Sequence, residues 1–148
     1  MNKLDSDLLN LLIQDARISF ADLARKLGIS RAYARARVQA LHSEGTIEQF
    51  TAVVNPEKLG KVTSTFVDLK VKSTALEKTA KTLAAQPEVA SLYIMSDLQS
   101  LHMHTLTDSE DTFYRFAQAH LFNNPDVISV ECKTLLKRIK NRRGGARL

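Results

Sequence analysis

Cysteine is almost missing from this chain. Cys132 stands alone in 148 residues, and one thiol excludes an intrachain disulfide framework. No apolar run approaches the ~18 residues that read as a membrane span, and no basic-then-apolar leader opens the sequence. The expected location is therefore the cytoplasm, with no membrane partner. The short signatures of catalysis are missing too: there is no Gly-rich phosphate loop, no GxSxG elbow and no evident nucleophile–base pairing. His102 and His104 flank Met103 on an expected strand, so both imidazoles project from one face, and with His120 or Cys132 they would be the candidates for a metal. No CxxC, HxxxH or carboxylate cluster supports that reading, and a histidine pair at a subunit interface is the expectation. No catalytic residue, metal ligand or cofactor is nominated.

What is present is an ordinary globular composition, 44% hydrophobic and 25% charged, with a net charge of +5 that is unevenly spread. Residues 1–50 hold seven Lys/Arg against six Asp/Glu, residues 51–136 hold eight against ten, and residues 137–148 hold six with no acid. The basic character thus sits in one helix and in the tail. The tail is expected to be a flexible arm, adding phosphate contacts or serving only solubility.

Leu4, Leu8, Leu11 and Leu12 recur at helical spacing and predict a first helix ending near Asp15, with Asp5 and Asp7 near its positive end. Ser19-x-x-Asp22 is a capping box opening a second helix over residues 20–27, which Gly28 stops. Ser30 is the expected N-cap of a third helix, whose apolar stripe is Ala34, Val38 and Leu41 and which Gly45 closes. Small residues at Ala24 and Ala34 around Gly28 give the spacing of a helix-turn-helix.

The third helix carries Arg31, Arg35 and Arg37 but no acid before Glu44. A 100° step per residue puts Arg31, Arg35 and Gln39 along one flank, suited to base edges, and Tyr33 and Arg37 on the other, nearer the phosphates or the body of the domain. Ser30, Arg31, Tyr33, Arg35, Arg37 and Gln39 are the DNA-contact candidates. Residues 46–54 read as a strand, which makes a winged-helix variant. The Pro- and Gly-bearing segment 55–61 reads as a hinge between a DNA-binding domain, 1–54, and a second domain, 62–136.

In the second domain, alternation predicts a strand over 66–71. Thr74-x-x-Glu77 reads as the cap of a helix with Leu76, Ala80, Leu83 and Ala84 inward. Strands follow over 89–95 and 101–106. Thr107-x-x-Glu110 caps a further helix burying Phe113, Phe116, Ala117 and Leu121, and the last strand covers 127–136. The segments Pro87-Glu88-Val89 and Pro125-Asp126-Val127 open corresponding strands, and the doubled strand–helix–strand order predicts a ferredoxin-like βαββαβ sandwich. The fold class is therefore α+β. Its open sheet face, expected to be lined by Phe66, Ile128 and Val130 or their strand neighbours, calls for a partner, most economically a second copy.

These residues resemble the Lrp/AsnC, or feast/famine, transcriptional regulators. The resemblance runs through Leu4-Asp5, Asp15-Ala16-Arg17-Ile18-Ser19, Leu23-Ala24 with Leu27-Gly28-Ile29-Ser30, Arg37-Val38 with Leu41, Glu44-Gly45-Thr46-Ile47, and Pro56-Glu57-Lys58-Leu59-Gly60, to Pro87-Glu88-Val89 and residues 127–140. It implies a winged helix-turn-helix hinged to a ferredoxin-like domain that oligomerises and senses a ligand. It further implies dimers assembling into octamers or related rings on double-stranded DNA, tuned in many members by an amino acid bound between subunits. The effector loop of such proteins commonly has a Gly-Asp-Tyr-Asp-like turn. The matching positions here are Ser96, Asp97, Leu98 and Gln99, and Ser96, Asp97 and Gln99 are the candidate effector contacts. Competing readings are a tetrapyrrole (siroheme) decarboxylase on the same architecture and an architectural protein that coats DNA without an effector.

Overall fold

The computed structural model describes residues 2–137 and 139. They fall into two compact units, one reaching Val54 and one running from Asn55 to Ile139. The basic tail lies outside the described residues, Lys137 and Ile139 excepted.

The first unit is three helices, α1 (Lys3–Gln14), α2 (Phe20–Leu27) and α3 (Arg31–Ser43). α1 opens on a reciprocal cap: the Asp5 amide donates to Asn2 Oδ1 at 2.8 Å, and the Asn2 amide donates to Asp5 Oδ2 at 3.4 Å. Leu8, Leu9 and Leu12 of α1 meet Leu23 and Ala24 of α2 and Ala34, Val38 and Leu41 of α3 in one apolar core. Each such leucine contributes roughly 1.5–3 kcal/mol by leaving water. Small side chains at Ala24 and Ala34 let α2 and α3 approach closely.

Beyond α3 the expected strand does not form. Gly45 closes the helix at φ 78° and the Ile47 amide donates to the Leu41 carbonyl at 3.0 Å, but residues 48–54 run without strand pairing. The reason is geometric. A strand is held by a neighbour, and the first unit offers none. Phe50, Val53 and Val54 are left about half exposed.

The second unit begins with a 3-10 turn (Pro56–Leu59) and continues as β1 (Thr63–Val71), α4 (Leu76–Ala84), β2 (Val89–Ile94), β3 (Ser100–Thr107), α5 (Glu110–Ala117) and β4 (Val127–Thr134). The sheet order is β2-β3-β1-β4 with every pair antiparallel, the order a βαββαβ chain takes when its helices share one face. Val67, Leu69, Val71, Leu101 and Met103 point to that face and pack on Leu76, Ala80 and Leu83 of α4 and Phe116 and Ala117 of α5.

Three expectations are corrected here. Thr74 does not cap α4: residues Ser73–Ala75 form a 3-10 turn, and no side chain bonds the first amides of the helix. α5 is capped by Ser109, which accepts from the Thr112 amide at 3.1 Å, because Thr107 is still the buried end of β3 and its hydroxyl donates to the Ser109 carbonyl. Val130 does not line the open sheet face. It pairs with Leu69 and packs into the helix-side core, as does Val127, because the ladder shifts register between Lys70 and Val71 and the extra residue turns Ile128 out to solvent.

Candidate nucleic-acid interface

The turn between α2 and α3 is built from caps. Ser19 accepts from the Asp22 amide at 3.0 Å at the start of α2. Gly28 ends that helix in the left-handed region, φ 67°, which costs a glycine nothing, and the Ile29 amide returns to the Ala24 carbonyl at 3.0 Å. Ser30 then caps α3, accepting from the Tyr33 amide at 3.1 Å. Ala34, Val38 and Leu41 lock α3 to the core, so the rotation of the helix about its axis is fixed.

That rotation sorts the candidate residues. Ser30, Arg31, Tyr33, Arg35 and Gln39 are exposed, with Arg31, Arg35 and Gln39 in one i, i+4 row. α3 contains no Asp or Glu to neutralise them. Arg37 behaves differently. Its Nε donates to Asp5 Oδ1 at 2.6 Å and its Nη2 to Asp5 Oδ2 at 2.8 Å, with Glu44 at 3.6 Å from Nη1. Of the two positions the helical step allowed it, Arg37 takes the one against the body of the domain. Its side chain is 27% exposed and that of Asp5 2%. The Arg37 guanidinium holds the Asp5 carboxyl below its usual value, and Asp5 in turn raises Arg37 further above an already basic one. A guanidinium bound on both prongs to a buried carboxylate has no free fork for a base edge. Asp5 was missed as a site residue. The signal was available: Asp5, Leu8 and Leu12 share the inward stripe of α1, and an acid there needs a cation opposite.

The loop between β2 and β3 places Ser96, Asp97, Leu98 and Gln99 together and exposed. Asp97 is spent on the loop itself. Its Oδ1 accepts from the amides of Ser100 (2.8 Å) and Gln99 (3.1 Å), and its Oδ2 takes the Ser100 hydroxyl at 2.5 Å. The Ser100 hydroxyl, followed by these amides, lowers the Asp97 pKa. Leu98 sits at φ 54°, a left-handed conformation unusual for a branched side chain.

On the open sheet face His102 and His104 do project together. His102 Nδ1 lies 2.6 Å from Asp68 Oδ1, His104 Nε2 lies 2.7 Å from the Ser64 hydroxyl, and Phe66 stacks on His104 at 4.5 Å between centroids. Cys132 pairs with Val67 and so belongs to the other face, and His120 lies beyond α5; neither joins the pair. Among the described residues no group of three or more His, Cys, Asp or Glu is placed to hold a metal ion. Burial raises the Cys132 thiol pKa, which disfavours the reactive thiolate.

A three-helix unit offering an acid-free arginine helix, followed by a βαββαβ sandwich, defines a two-part DNA-binding protein. Comparison with known proteins agrees. Residues 1–48 match the family described as winged helix-turn-helix DNA-binding, and residues 64–144 match the Lrp/AsnC ligand binding domain. The transcriptional regulator Ptr1 of Methanocaldococcus jannaschii is 32% identical over 113 residues, 68% of this chain and 76% of that protein. Among solved structures, Escherichia coli AsnC superposes with a TM-score of 0.88 at 22% identity, covering 97% of each chain. The regulator NMB0573 of Neisseria meningitidis, solved in complex with L-Met, superposes with a TM-score of 0.87 at 21% identity over 95% of this chain and 93% of that one. At such identities these structures establish the fold alone. The chain belongs to the Lrp/AsnC family of helix-turn-helix transcriptional regulators. Among the described residues no helix is long and apolar enough to cross a membrane.

Proposed function

We propose that the chain reads a specific duplex sequence as a homo-oligomer, with Ser30, Arg31, Tyr33, Arg35 and Gln39 on the DNA and a small molecule controlling the second unit. The observation that carries this is the division of labour on α3: Arg31, Arg35 and Gln39 face outward in one row while Arg37 is bound to Asp5. Arginine forks match O6 and N7 of guanine in the major groove, each worth ~1–3 kcal/mol of discrimination. Ser30 and the first amides of α3 suit a phosphate. Arg37 is left out of the contact set.

Two uncovered features support self-association. Residues 48–54 form no strand pairing and expose Phe50, Val53 and Val54. The open sheet face carries Phe66 and the two histidines. A second copy covers both, and a symmetric dimer presents two copies of α3 to half-sites one helical turn apart; octamers or related rings repeat the arrangement. DNA recognition asks no bond chemistry of the chain, so we read it as non-enzymatic, and reading chromosomal DNA places it in the cytoplasm.

For control we favour an amino acid, the class that NMB0573 holds as L-Met. Asp97 is already engaged by its own loop, so the exposed Ser96 and Gln99 carry more of the contact than Asp97 does. The test selects bound fragments from a random duplex pool with the full chain, then measures the affinity of Arg31→Ala/Arg35→Ala for them, with and without an amino-acid panel. The double variant should lose the selected sequence while keeping its melting temperature. Equal affinity of native and double-variant protein overturns the assignment of α3. Selection of no sequence at all favours a DNA-coating role.

A further inference from the structure

A cleft of about 310 Å³ opens on the helix side of the second unit, between α4 and the chain leading from α5 into β4. Its lining includes Lys78, Thr79, Thr82, His120, Asn124 and Asp126. It lies apart from the open face of the sheet.

Thr79 brings the first polar group to the cleft. The residue is 4% exposed overall, and among the described residues no fully buried side-chain oxygen lacks a partner, so its hydroxyl, engaged by no other group, is the part that meets the solvent of the cleft. In a helix the carbonyl four residues back is the nearest acceptor for a threonine hydroxyl. Thr82 takes that course, donating to the Lys78 carbonyl at 3.0 Å. Thr79 keeps its hydroxyl for the cleft.

The opposite wall is set by an irregularity. After α5 the chain widens into a π turn over Gln118–Phe122, closed by the Asn123 amide donating to the Gln118 carbonyl at 3.2 Å. π turns are rare and recur at functional sites. This one puts His120 on the cleft, its ring against Phe116 at 5.2 Å between centroids.

Two of the remaining polar groups, Lys78 and Asn124, are donors. Lys78 has no ion-pair partner among the described residues. Asn124 Oδ1 accepts the Asp126 amide at 3.0 Å, which leaves the two amide hydrogens of its side chain unused. Asp126, the one acid on the lining, holds the Lys72 ammonium at 3.3 Å. A cation, an unengaged hydroxyl and an amide donor around a volume at the small end of ligand sites suit a small anion with paired oxygens.

We propose that this cleft is a binding site for a small carboxylate anion, separate from the loop at Ser96–Gln99. The site can report to that loop. The adjacent amides of Val71 and Lys72 donate to the carbonyls of Gln99 and Asp126, both at 2.9 Å, so the floor of the cleft and the loop hang on neighbouring peptide groups at the end of β1.

The experiment uses the full chain without DNA, so its failure leaves the DNA reading untouched. Succinate is titrated by calorimetry, with uncharged succinamide and cationic 1,4-diaminobutane as controls and inorganic phosphate as a second anion. Hydrogen–deuterium exchange locates the effect. Saturable succinate binding with slowed exchange over residues 78–83 and 118–126, absent with both controls, is the expected result. Lys78→Gln and Thr79→Val, whose folding is checked by circular dichroism, should each weaken it about tenfold. No heat at millimolar succinate, unchanged affinity in both variants, or slowed exchange elsewhere overturns the site. Tighter binding of phosphate than of succinate overturns the carboxylate assignment.

Discussion

Arg37 and Asp5 are 32 residues apart in sequence and bonded on both prongs, at 2.6 and 2.8 Å. The bond ties the first turn of α1 to the middle of α3, and it uses the arginine that the helical step sets on the other flank from Arg31 and Arg35. Asp5 also caps α1 through Asn2, so one carboxylate serves two elements.

Acid should therefore loosen the first unit in a defined window. Asp5 titrates below its usual value near 3.8 because Arg37 favours the charged form. A group depressed on folding stabilises fully above its unfolded pKa, and that contribution is lost as pH falls through the folded one. The melting temperature of the chain should stay flat on this account from pH 7 to about 5 and drop below pH ~4. In Asp5→Asn the drop at neutral pH should already be present and the acid step diminished. An Asp5→Asn protein as stable as the native chain at pH 7 contradicts the role of the pair.

The arginines of α3 should separate into two kinds by measurement. Arg31→Ala or Arg35→Ala should cost ~1–3 kcal/mol in DNA binding, roughly ten- to hundredfold, with no change in melting temperature. Arg37→Ala should lower the melting temperature first and affinity only as the fold loosens. Thermal melts run beside a salt series of binding isotherms distinguish them, since a direct phosphate contact also reduces the slope against log salt by about one. A stable Arg37→Ala protein that fails to bind DNA returns Arg37 to the contact set.

Leu98 is 63% exposed and held at φ 54°. A leucine there carries strain that packing does not repay. Leu98→Asn, which tolerates the left-handed region, should stabilise the second unit by roughly 0.5–1 kcal/mol, and Leu98→Val should destabilise it. Urea midpoints at constant slope measure both. A stabilised Leu98→Asn that no longer responds to an effector recognised by the native chain shows that the strain serves ligand binding.

How far the sequence is legible depends on whether a feature is local. α1, α2 and α3 follow from leucine spacing and from caps at Ser19 and Ser30, which act within three residues. The order of the sandwich follows from two repeats of strand, helix, strand. Overlapping cap patterns are less secure: Thr107 and Ser109 both fit, and only the length of β3 decides for Ser109. Alternation misassigns Val130 because the shift beside Val71 needs the partner strand to be seen. Residues 48–54 carry a strand's pattern, but the first unit holds no strand for them to pair with. The inward turn of Arg37 depends on an acid 32 positions away, and the cleft at Thr79 and His120 on a π turn that no spacing rule anticipates.

The open sheet face gives the most direct test of assembly. Phe66 of β1 sits opposite His104 of β3 and stacks on its ring, while Asp68 of the same strand engages His102. The face is polar around two aromatics, Phe66 and the exposed Tyr93 opposite His102, a composition that suits a surface between subunits. Its helix-side counterpart is closed by Val67 and Leu69, so a change at Phe66 leaves the interior of the subunit alone. Phe66→Asp should place a carboxylate beside Asp68, repel its symmetry mate across a face-to-face dimer and shift sedimentation from oligomer toward monomer. The circular dichroism spectrum should be preserved, and DNA affinity should fall as the coupling of half-sites is lost. An oligomer of unchanged mass in Phe66→Asp moves the interface away from this face, to the unpaired residues 48–54.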